Sequence, residues 1–145
     1  MSAHAYTEDQ LVEQPAIALF AELGWITVSA LEETFGATST LLRETKGEVV
    51  LVARLRAALD RLNPALPPEA ITAAVDELTR DRSATSLEAA NREVYLLLKE
   101  GIKIFVPDHE HGGQKTERLR VVDWEHPANN DFLLLSQCYV IGVIH

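Results

Sequence analysis

The chain predicts a mixed α/β (α+β) domain in which helices come first and most of the strands follow. Three observations point there. Apolar residues recur at helical spacing through most of the chain as far as Glu100, the spacing falls to two after Gly101, and the breaks between segments fall at Gly, Pro and Asn. With 145 residues, 47% of them hydrophobic, the sequence reads as a single domain, 1–145, able to bury a core. The helical part is expected over about 49–100 and the strands over about 102–144, as an antiparallel meander.

Thr7 reads as a helix N-cap, with Gln10 completing a capping box. Glu8 and Asp9 suit the positive end of the helix dipole. Leu11, Ile17, Leu19, Phe20 and Leu23 mark an apolar side, and Gly24 is a natural stop. Pro15 removes one hydrogen bond and predicts a kink. Trp25 to Ser29 has strand composition. Residues 30 to 47 read as a polar loop with short helical turns. Val49 to Leu62 is the next helix, with Leu51, Leu55, Ala58, Leu59 and Leu62 on one face, and Asn63-Pro64 ends it. Pro67-Pro68 opens another, with Glu69 in its first turn and Ile71, Val75 and Leu78 facing inward. After a polar break over 79–86, Leu87 to Glu100 is helical, with Leu87, Ala90, Val94, Leu97 and Leu98 buried. Ile102 to Val106 alternates like a strand, and Gly112-Gly113 marks a hairpin turn. Leu119 to Trp124 and Phe132 to Ile144 are the remaining strands.

The formal net charge of −9, from 22 acidic and 13 basic residues, repels phosphate and argues against tight unaided DNA binding. Arg54, Arg56 and Arg61 lie close together but read as a solvated helix surface. The lone cysteine, Cys138, forbids an intrachain disulfide and reads as a small buried hydrophobe in a reducing, cytoplasmic setting. The start of the chain carries no basic, then apolar, leader pattern, and no apolar run reaches the ~18 residues of a membrane span.

Few residue patterns carry chemistry. Glu44-Thr45-Lys46 is an acid-x-lysine pattern. In metal-dependent nucleases such a pair puts a carboxylate on Mg²⁺ and an ammonium beside the attacked phosphate, when both alternate on one strand face. Here it lies in a polar stretch before Gly47, without a flanking apolar strand, and reads as a helix entry or a solvated loop. His109 and His111 would share a strand face, but zinc needs three or four converging ligands, and Gly112-Gly113 makes this a hairpin tip. Asn129-Asn130-Asp131 reads as a tight turn held by side-chain-to-backbone bonds. Asn91, on the apolar side of its helix, is expected to be buried and hydrogen-bonded or to meet the turn at 129–131. Trp25 and Trp124 are expected in the core. No Gly-x-x-x-x-Gly-Lys-Ser/Thr phosphate loop occurs, so nothing in the sequence points to ATP binding.

Several segments, taken in order, resemble the N-terminal region of the R (motor and endonuclease) subunit of type I restriction-modification enzymes. They are Thr7-Glu8, Ala21-Glu22-Leu23-Gly24-Trp25, Ala57-Ala58-Leu59-x-x-Leu62-Asn63-Pro64, Glu88-Ala89-Ala90-Asn91-Arg92, Leu98-x-x-Gly101 and Asp123-x-x-x-Pro127-x-x-Asn130-Asp131-Phe132. The resemblance implies a PD-(D/E)xK restriction-endonuclease-like domain, truncated here, with motor domains following it. It implies a parent that cleaves unmodified foreign double-stranded DNA with Mg²⁺ and ATP, beside modification and specificity subunits. It makes Asn63, Pro64, Asn91, Asn130 and Asp131 structural motif residues. The family's metal-binding aspartate and acid-x-lysine pair lie beyond His145, so the fragment should hold neither metal nor ATP and be inactive alone. Glu8 or Glu13 matches an accessory acid of the first helix. The missing strands would leave residues 132–144 as an open edge, prone to homodimer formation. The competing reading is a non-catalytic docking module that binds a partner protein through Val49 to Glu100.

Overall fold

The computed structural model describes residues 7–32, 41, 43 and 48–138. Contacts group them into two compact units, where the sequence alone reads as one domain. Residues 1–49 and 131–145 make the first unit and residues 50–130 the second.

In the first unit, Thr7 Oγ1 accepts from the Gln10 amide at 3.3 Å, which is the N-cap half of the expected capping box. The helix then opens as a π-helical turn, Asp9–Glu13, and continues as α1, Gln14–Glu22. Pro15 falls in the first turn of α1. The wider winding just before it accommodates the missing N–H, so the disturbance expected from proline appears as a π turn. Gly24, at φ +87°, closes α1: the Trp25 amide reaches back to the Phe20 carbonyl and the Gly24 amide to that of Ala21, both at 3.0 Å. Strand β1, Ile26–Ser29, follows.

The second unit holds α2 (Val52–Leu62), α3 (Pro68–Thr79), α4 (Leu87–Glu100), β2 (Ile102–Pro107) and β3 (Gln114–Leu119). Asn63 and Pro64 follow α2, and Pro67-Pro68 opens α3. Ser86 caps α4, its hydroxyl accepting from the Ala89 amide. The core is Leu59, Ala70, Ile71, Ala74 and Val75 packed on Ile102, Ile104, Val106 and Leu119. These residues lie on the inward faces of α2 and α3, on alternate positions of β2 and at the end of β3.

Strands β2 and β3 pair antiparallel from Ile102 opposite Leu119 to Pro107 opposite Gln114. Gly112 and Gly113, at φ +77° and +73°, make the turn. The expected second strand at 119–124 is therefore corrected to 114–119. A short glycine turn fixes register locally, and a sheet with one solvated face accepts the polar Gln114–Arg118. Strand β4, Leu133–Ser136, departs further from expectation. It pairs parallel with β1, Ile26 opposite Leu133 through Ser29 opposite Ser136, so among the described residues the antiparallel meander is replaced by two two-stranded sheets. Residues 139–144 of the expected third strand lie outside the described residues.

Several burial expectations also change. Leu11, Leu19 and Leu23 are exposed on α1, and Leu87 and Leu98 on α4, where no residue is fully buried. Trp124 is 64% exposed and Cys138 is exposed, so neither is a core residue. Trp25 is half-buried between two rings, Phe20 at 4.7 Å and Phe132 at 4.9 Å.

Gly101 joins α4 to β2 at φ +81° and ψ 177°. A Cβ there would stand 2.5 Å from the Leu119 carbonyl oxygen. Both the dihedral angles and the space demand glycine. Gly101→Ala should lower stability by about 2 kcal/mol or more. Leu59→Ala, in the fully enclosed core, should lower it by about 2–5 kcal/mol. Urea unfolding followed by circular dichroism reads both.

Candidate functional site

The densest polar constellation of the second unit lies where the chain leaves β3. Two side-chain amides hold it. Asn63, at the end of α2, accepts from the Arg120 amide at 2.7 Å through Oδ1 and donates to the Arg120 carbonyl at 2.8 Å through Nδ2. The same Nδ2 also donates to the Leu59 carbonyl at 2.9 Å. Asn63 thus serves one residue as a strand partner would and caps its own helix. Asn130 treats Asp123 the same way: Oδ1 accepts from the Asp123 amide at 2.8 Å and Nδ2 donates to its carbonyl at 2.9 Å. Nδ2 also reaches the Pro127 carbonyl at 3.0 Å.

The Asp123 carboxylate is buried at the centre of this turn. It accepts from Asn129 Nδ2 at 3.0 Å and from the amides of His126 and Glu125 at 3.0 and 3.2 Å, with Arg120 3.2 Å away. The Asn129 bond first, then the His126 amide, and further on Arg120 and the Glu125 amide, hold its pKa below the usual carboxylate range. Arg61 donates to the Asn129 carbonyl at 3.1 Å, and Arg56 to Thr72 at 3.0 Å, so these two arginines brace their own unit. The turn holds backbone; it presents no nucleophile and no pair of free carboxylates.

Of the remaining motif positions, Pro64 is exposed just past the end of α2, and Asp131 is half-buried in the first unit. Asn91 is exposed on α4, against the expectation of burial, and makes no hydrogen bond to the turn at 123–130. Its side chain points away from the core because α4 packs little of its surface. The tip at His109 and His111 is built on Asp108, which accepts from the Glu110 and His111 amides at 3.0 and 3.1 Å. The His111 amide is the main reason that the Asp108 pKa is lowered.

In the first unit, Glu8, Asp9 and Glu13 stand along an open groove with Ile17, Leu134, Ser136 and Gln137. Glu13 is tied down: Gln137 Nε2 donates to its Oε2 at 2.5 Å. Gln137 follows β4 in the left-handed region, at φ +55°, which turns its side chain toward that carboxylate. Both candidate accessory acids thus flank one groove at the start of the first helix. No group of three or more His, Cys, Asp or Glu able to hold a metal occurs among the described residues. Three acids from one helical edge, one of them engaged by Gln137, do not by themselves fit Mg²⁺, which demands near-octahedral oxygen ligation. Glu44-Thr45-Lys46 lies outside the described residues.

The arrangement is that of a mixed helix-and-sheet scaffold carrying a structural turn and an acidic groove. Comparison with known proteins gives it a class. Residues 5–143 match the family model described as type I restriction enzyme R protein N terminus. The chain belongs to that family. Among curated proteins it is similar to the type I restriction enzyme HindI endonuclease subunit of Haemophilus influenzae, 31% identical over 131 residues, 87% of this chain. It spans 12% of the length of that relative. No solved structure matches the chain.

Two predictions follow from the turn. Asn63→Ala strands the Arg120 amide and carbonyl and should cost about 2–3 kcal/mol, measured by urea unfolding. For Asp123, a folded-state pKa below the unfolded value means its contribution is fully present above about pH 4 and lost as pH falls through the depressed folded value. The wild-type unfolding midpoint should therefore drop with acidification in that window, and Asp123→Asn should flatten this limb. An unchanged acid limb in Asp123→Asn would show that the carboxylate is not the group responsible.

Proposed function

We propose that this chain is the scaffold portion of the nuclease-bearing end of an R subunit, with a fold of the PD-(D/E)xK class. The whole protein would cleave unmodified foreign double-stranded DNA, using Mg²⁺ and ATP, beside modification and specificity subunits in the cytoplasm. The observation that carries this reading is the family match across residues 5–143. Physical support comes from the turn. Two of the five residues singled out by resemblance, Asn63 and Asn130, are spent on backbone hydrogen bonds, as scaffold residues would be. Glu8 and Glu13 share a groove with the end of β4, which is compatible with an accessory-acid role for either. No helix among the described residues is long and apolar enough to cross a membrane.

The parallel pair β1 and β4 supports the same reading. Parallel sheets are normally covered on both faces and continue into further strands. Here the four residues of β4 are only half-buried, and β1 is the one strand paired with it among the described residues. Further strands of a larger sheet would complete it. A second copy paired along the same edge would also complete it, giving a homodimer.

On supercoiled plasmid with Mg²⁺, the chain alone should leave the DNA uncut. Nicking that survives Glu8→Gln and Glu13→Gln would sink this account. In the assembled enzyme, Glu13→Gln should reduce cleavage while leaving ATP hydrolysis intact. Sedimentation of the isolated chain should show association that rises with concentration; a monomer at all concentrations would contradict the open edge.

A further inference from the structure

We propose that the outer face of the β2–β3 hairpin and the adjoining cleft at the end of α4 form a contact surface for a single strand of DNA. This deepens the R-subunit reading and rests on it only for the choice of DNA as the nucleic acid.

The first observation is the distribution of charge. Residues 50–130 hold 11 of the 13 basic residues against 13 of the 22 acidic ones, a net of −2, which leaves −7 for the rest of the chain. Most of the net negative charge is therefore carried by residues outside 50–130.

The second is where four of those cations stand. Lys99, Arg118 and Arg120 line one cleft with Trp124, Glu100 and Glu125. Lys103 lies directly opposite Arg118 in the β2–β3 register, on the solvent face. Like charges in facing positions destabilise a sheet, and neither Lys103 nor Lys99 has an ion-pair partner among the described residues. Arg118 spends one N–H on the Glu100 carbonyl at 2.9 Å, and Arg120 is paired with Asp123. The facing pair costs the fold something, and a polyanion crossing the hairpin would offset it.

The third is the company these cations keep. Phe105, two residues along β2 from Lys103 on the same face, is 65% exposed, and Trp124 in the cleft is 64% exposed. The Trp124 indole N–H donates to the Leu98 carbonyl at 3.3 Å, which fixes the ring at the cleft while its face stays open. Exposed aromatic rings set among cations suit a strand whose bases are free to stack, and a stacked base is not available from an intact duplex. Glu100 and Glu125 limit the affinity, so binding belongs at low ionic strength.

Fluorescence anisotropy of the full chain with a labelled thymidine oligonucleotide at low salt tests this, beside a duplex of equal length. The expected result is weak, salt-sensitive binding that favours the single strand, with tryptophan emission quenched. Trp124→Ala should abolish the quenching and weaken binding about tenfold or more. Lys103→Gln should reduce the salt slope by about 1 while leaving the melting temperature equal or higher, since it removes a facing like charge. A purely structural lysine would instead lower the melting temperature without moving the slope. Arg92→Gln, on exposed α4, should leave affinity unchanged. Equal affinity in Lys103→Gln and Trp124→Ala, tighter binding of the duplex, or no binding at low salt overturns the proposal. Such a failure leaves the cleavage assay of the assembled enzyme, which tests the subunit reading, unaffected.

Discussion

The pairing of two asparagine side chains with the backbones of Arg120 and Asp123 is the constraint on which the second unit depends. Past Leu119 the chain leaves the sheet and runs to Asn130 with one short 3-10 turn, Pro127–Asn129. Backbone N–H and C=O groups that leave a ladder must find other partners or face water. A carboxamide carries both a donor and an acceptor and can stand in for a neighbouring strand. Asn63 does so from the end of α2, 57 residues before Arg120, and ties the helical layer to the chain as it leaves the hairpin. Asn130 does so locally and closes the turn around the Asp123 carboxylate.

The first unit is built on a thinner basis. One helix with a π turn at its start, a short parallel pair of strands and Trp25 set edge-on to Phe20 and stacked on Phe132 make up most of what is described. No residue of α1 is fully buried. A two-stranded pair has little stability in isolation, so the first unit's strands depend on the helix and rings packed around them. Its acidic groove and the weak net charge of the second unit divide the chain electrostatically. One unit carries Glu8, Asp9 and Glu13 along its groove, and the other carries Lys99, Lys103, Arg118 and Arg120 beside the exposed Phe105 and Trp124.

The net charge of −9 is unevenly spread along this member of the type I restriction enzyme R protein N-terminal family. Net charge sets the field at a distance, whereas contacts are made by local arrangements. Arg54, Arg56 and Arg61 stood out in sequence because they are close along the chain, but Arg56 and Arg61 brace the fold. The cations on the hairpin come from separate segments, α4, β2 and β3, and only pairing of those strands brings them together.

The helices were legible from sequence because their signals are local. Pro67-Pro68, the Ser86 cap and Gly101 bound α3 and α4, and the 3.6-residue period selects the buried residues of α2 and α3. The family resemblance was legible too, through Asn63-Pro64 and the segment ending in Asn130-Asp131-Phe132. Sequence did not show which strands pair. Leu119 to Trp124 is the more apolar segment, yet β3 forms upstream of it because the glycine turn sets the register. Phe132 onward was expected beside that strand, yet it joins β1, more than a hundred residues away. Trp124 and Asn91 look like interior residues by type and spacing, and whether a helix face or a ring is covered depends on neighbours that no local pattern specifies. Local chemistry determined the elements and their caps; long-range pairing, which contributes energy only once the ends have met, decided the sheets and the surfaces.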